Sequence, residues 1–78
     1  MLSDHQDTDS FSYNRTWDDF QDMLERAERK QNMHFTKMHQ KQSREDRIYH
    51  MRNFKALEGV IKTLRWAMGD VRIEHPLE

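Results

Sequence analysis

The chain has no cysteine, one proline and two glycines among 78 residues. Without cysteine there is neither a disulfide framework nor a thiolate metal cage. No glycine or proline occurs between Met1 and Glu58, so the two residues that most often punctuate a helix are missing from most of the chain. Apolar residues are scarce as well, at 35%, and no run approaches the roughly 20 apolar residues that span a bilayer. The polar, acidic start MLSDHQDTDS lacks the basic and apolar segments of a secretory signal. There is no Gly-rich phosphate loop, no Gly-x-Ser-x-Gly and no cysteine to pair with a histidine. These absences lead us to expect a non-enzymatic protein that needs no metal or cofactor, is not membrane-bound and resides in the cytoplasm, or in a host's cytoplasm for a phage product.

What is present is a repeat. Phe20, Leu24, Ala27, Gln31, His34 and Met38 recur at alternating steps of four and three, and so do His50, Phe54, Leu57, Ile61, Leu64 and Met68. That spacing places each set on one helical face. The polar run His39-Gln40-Lys41-Gln42-Ser43-Arg44 separates the two sets. A fold near Gln42 sets Phe20 against Leu64, Leu24 against Ile61, Ala27 against Leu57, Gln31 against Phe54 and His34 against His50. Thr16-x-x-Asp19 and Ser43-x-x-Asp46 offer two helix caps, because a hydroxyl at the cap accepts from an otherwise unpaired backbone amide. Gly69 is a natural stop.

The expected fold is therefore all-α: an antiparallel two-helix hairpin over residues 16–69, with helices at about 17–40 and 44–68. We prefer it to one continuous helix from Thr16 to Met68 because of the second cap and the loss of apolar residues over 39–47. A flexible acidic arm over 1–15 precedes it, with Leu2, Phe11 and Tyr13 able to dock on a surface. A tail over 70–78 follows, with Val71-Arg72-Ile73 expected to be extended. A lone hairpin of this size has little core, so dimerisation into a four-helix bundle is expected. The small stripe Ala56, Gly59, Val60, Thr63 and Ala67 is the expected self-association face, because small side chains let helix backbones approach. This layout is similar to that of plasmid RNA-regulating helical-hairpin dimers, although fold alone does not carry function.

Charge is balanced overall at −1 but unevenly placed. Residues 1–25 hold Asp4, Asp7, Asp9, Asp18, Asp19, Asp22 and Glu25 against Arg15, whereas residues 26–55 are strongly basic. Arg26, Arg29, Lys30, Lys37, Lys41, Arg44 and Arg47 form a candidate phosphate-contacting set, with Phe35 and Tyr49 available to stack on bases. Met33-His34, Met38-His39 and His50-Met51 have donors suited to Cu(I), but flexible core filling explains the methionines better. Trp17 and Trp66 fall at one end, near the Phe20–Leu64 layer. They are expected to cap the core or, if exposed, to join Phe11 and Tyr13 in a partner-binding patch.

From these features we expect a small protein-binding adaptor or inhibitor acting through a helical surface, of the kind common among phage and mobile-element accessory products. A nucleic-acid-binding bundle that uses the basic residues is the alternative. A structural subunit of a larger assembly is the third reading.

Overall fold

The computed structural model describes residues 14–78, so the expected arm, including Phe11 and Tyr13, lies almost wholly outside the described residues. Two helices, α1 (Trp17–Met38) and α2 (Arg44–Ala67), pack side by side as an antiparallel hairpin. The continuous-helix alternative fails at residues 39–43, which form a turn between the two helices.

The caps explain where each helix begins. Thr16 Oγ1 accepts from the Asp19 amide at 3.2 Å, and the Thr16 amide donates to Asp19 Oδ2 at 2.9 Å. This reciprocal pair satisfies two amides that have no partner within the helix. Ser43 Oγ accepts from the Asp46 amide at 3.1 Å and starts α2 in the same way. Asp18 and Asp19 in one first turn, and Glu45 and Asp46 in the other, complement the positive helix ends.

The turn between the helices is tied to the end of α1. The Gln42 side-chain amide donates to the Lys37 carbonyl at 2.6 Å, and the His39 and Gln40 amides donate back to the Thr36 and Lys37 carbonyls. These bonds occupy orphan carbonyls of the last turn. They end α1 at Met38, two residues short of the expected 40. At the far end Gly69 adopts φ +91°, a left-handed conformation that only glycine enters freely. Its amide donates to the Trp66 carbonyl, and the Asp70 amide donates to the Arg65 carbonyl at 2.9 Å. That pair of bonds closes a Schellman turn.

Beyond Gly69 the chain turns instead of extending. The Ile73 amide donates to the Asp70 carbonyl at 3.1 Å, and Arg72 grips the Asp70 carboxylate with Nε at 3.0 Å and Nη2 at 2.8 Å. The expectation of an extended Val71-Arg72-Ile73 segment is therefore incorrect. Local pairing of Arg72 with a carboxylate two residues away competes successfully with the β-propensity of Val71 and Ile73.

The seam between the helices is thin. Ala27, His34 and Ile61 are 5, 6 and 9% exposed, and they are the only described residues that count as buried. Phe20, Leu24, Leu57, Leu64 and Met68 are half-buried around them. Stability at this scale is marginal, so a single cap matters. Ser43→Ala is expected to cost about 1 kcal/mol and to lower the thermal midpoint by roughly 4–8 °C. Ser43→Asp, which keeps an accepting oxygen at the cap, should leave the midpoint almost unchanged. Circular dichroism melts of the two variants check both.

Candidate interaction surface

The expected register is realised at its polar layer. His34 on α1 meets His50 on α2 with Nδ1 to Nδ1 at 2.9 Å. One ring must donate and the other accept, since a neutral imidazole has one of each. Tyr49 stands edge-on to both rings, with centroids 6.0 Å from His34 and 5.1 Å from His50. Toward the chain ends, Phe20 and Leu64 line one depression together with Met23, Asp19 and Asp22.

Burial first, and then the charges of His50, Lys30 and Lys37, push the His34 pKa below its ordinary 6.5. No group of three or more acidic or imidazole side chains converges on these two facing imidazoles among the described residues.

The apolar surface beside the seam is broader than the sequence indicated. At the hairpin tip, Phe35 lies against His39 at 4.6 Å and Phe54 at 5.8 Å between centroids. Met38, His39, Arg47 and Met51 line a shallow depression next to them. Phe35 and Met51 are both about half exposed. The grouping has a sequence signal in hindsight. Phe35 and His39 are four apart, as are Arg47 and Met51, and Met51 follows one position after His50 of the core stripe.

On the same side, Arg65 Nη2 donates to Glu28 Oε2 and bridges the helices. The Nε of Arg65 is buried with no hydrogen-bond partner. Nothing in the spacing of residues 37 apart announces that pair.

The expected basic set divides. Arg26, Arg29 and Lys30 line one shallow depression with Met33 on α1, and Arg26 is paired with Asp22 at 3.0 Å. Arg47 belongs to the tip depression instead. Lys37, Lys41 and Arg44 are exposed around the turn. The two tryptophans divide as well. Trp17 borders a depression with Leu24, Arg65, Met68 and Arg72, whereas Trp66 lies about 100° round α2 from Arg65. At 56 and 49% exposure, neither caps the core, so that expectation is incorrect. The seam closes without them because Phe20, Leu24, Leu64 and Met68 already fill this end. Ala56, Gly59, Val60, Thr63 and Ala67 are all exposed, and no other part of the hairpin covers them.

The histidine layer makes stability depend on pH. The unfolded chain binds a proton at His34 more readily than the folded one, so stability rises with pH across this window. It is fully present above the ordinary 6.5 and is lost as pH falls below that value. Double protonation of both rings also turns the 2.9 Å contact into a repulsion. The Asp70 carboxyl, held at about 2 by its Arg72 hydrogen bonds, stays charged throughout and contributes nothing to the difference. Melts at about pH 5 and about pH 7.5 should show the lower midpoint at the acid value. His34→Gln, which cannot titrate, should narrow the gap.

Comparisons with protein-family models, with curated proteins and with solved structures each return no match.

Proposed function

We propose that this chain is a small non-enzymatic protein-binding adaptor or inhibitor that acts through its helical surface, presented by a dimer of hairpins as a four-helix bundle. The observation that carries the reading is the half-exposed Phe35–Met51 cluster at the tip, beside Arg47 and His39. Partner-binding sites concentrate their energy in aromatic and arginine side chains, and methionine surfaces adapt to a partner's shape. Small monomers rarely leave such groups together without a use. The described residues contain no enclosed cavity with convergent acid–base groups, so binding is a better use of this surface than catalysis.

Nucleic-acid binding is the second reading, favoured by the shared depression of Arg26, Arg29 and Lys30. Those cations lie on α1 away from the Phe35–Met51 cluster, so the two readings separate by mutation.

Tagged protein would be used to capture partners from the native host lysate, with and without nuclease. The adaptor reading expects a protein band that survives nuclease and is lost with Phe35→Ser/Met51→Ser at unchanged helicity. The variant Arg29→Ser, which removes a cation of that depression outside the proposed dimer contacts, should still capture it. Loss of the band on nuclease treatment, with a gel shift that weakens from about 50 to about 200 mM salt, would favour the second reading.

A further inference from the structure

Helical spacing divides the hairpin surface into two sides. One is crossed by the Glu28–Arg65 ion pair and carries the Phe35–Phe54 contact. On the other, α2 presents Tyr49, Asn53, Ala56, Val60, Thr63 and Ala67, again in alternating steps of four and three and without a single charge. Beside them α1 presents Met23, Arg26 and Lys30. Tyr49, Met23 and Val60 are 59, 52 and 42% exposed, so this face is apolar along its middle and is left uncovered by the described residues.

We propose that this face pairs with the same face of a second copy, antiparallel, about a twofold axis level with Glu58 on α2 and Arg26 on α1. The proposal rests on the four-helix-bundle reading above and specifies which surfaces meet and in what register.

Two features of the face point to its own copy. The first is size. About a centre at residue 58, Tyr49 of one copy opposes Ala67 of the other, Asn53 opposes Thr63, and Ala56 opposes Val60. The largest side chain meets a small one, the two polar ones meet each other, and small meets medium, as a self-complementary twofold interface requires. The second is charge. His34 facing His50 sets Arg26 level with Glu58, so the same axis brings the acidic first half of α1 against the basic second half of its copy. Asp22 then opposes Lys30. Arg26 approaches its own copy at the axis, where its charge is already balanced by Asp22 at 3.0 Å.

Extent agrees with size and charge. Six positions spanning Tyr49 to Ala67 cover about 27 Å of helix. Two helices side by side give a footprint of roughly 500 Å² per copy, which reaches the ~1,000 Å² total that a specific interface needs.

The test uses the absence of native cysteine. Ala56→Cys/Val60→Cys places two thiols within bonding range across the proposed axis. Thr63→Cys/Ala67→Cys lies on the same face, but even its nearest pair is offset by about 15 Å along the helix, beyond the roughly 7 Å that a disulfide tolerates. The expected result is a dimer by sedimentation for the wild-type chain and rapid covalent dimer from the first variant only. Asp22→Lys and Lys30→Asp should each weaken the dimer by roughly tenfold, since two symmetry-related pairs turn from attraction to repulsion. The double swap should restore it.

A helical monomer at tens of micromolar would overturn the bundle reading and this pairing together. A dimer that cross-links no faster through 56/60 than through 63/67, and ignores the charge swap, would keep the bundle and overturn this pairing. If a cysteine variant fails to fold, the charge-swap series decides alone, because those positions are exposed on α1.

Discussion

The contact between His34 and His50 governs how the two helices slide against one another, and most other placements follow from it. Apolar seams built from alternating fours and threes tolerate slippage by a heptad, because one apolar layer looks much like the next. A hydrogen-bonded imidazole pair does not, since any shift strands a buried ring without a partner. With that layer fixed, Phe20 comes level with Leu64 and Arg26 with Glu58. The layer also carries a cost: both rings are bases, and a register lock made from bases loosens in acid.

Around that lock the hairpin has very little interior. Three buried residues, one of them polar, cannot offset the ordering of some fifty residues by much. Two capped helix starts, a tied turn and a Schellman stop supply local order that the seam alone would not. The same scarcity explains why so many large side chains remain at the surface. A two-helix layer has two broad sides, and among the described residues there is no third element to cover them.

Much of the architecture was legible in the sequence because its signals are local. Thr16 and Ser43 announce helix starts through their own hydroxyls, and Gly69 announces a stop through the φ only it adopts easily. The four-three rhythm gave the seam, and the mirror arrangement about Gln42 gave the histidine layer. Other features depended on geometry between helices. The Glu28–Arg65 pair joins residues with no periodic relation, and the long Arg65 side chain finds its acceptor only once the helices are docked. The tryptophans point outward although their apolar character suits a core cap, because that character does not say which way a residue at a helix end faces. Val71 and Ile73 suggested an extended tail, until a neighbouring arginine and aspartate satisfied each other first.

A chain that goes out along one helix and returns along the next brings its entry and exit to one end. Asn14 and the turns after Gly69 therefore sit together, a full helix length from Lys37, Lys41 and Arg44. In the proposed antiparallel pair each such end lies beside the turn of the other copy. The acidic first turn of α1, with Asp18 and Asp19, would then lie next to the basic end of its twin's α1. The opposed charges at the two ends of a single hairpin, which do nothing for each other along its length, become neighbours between molecules.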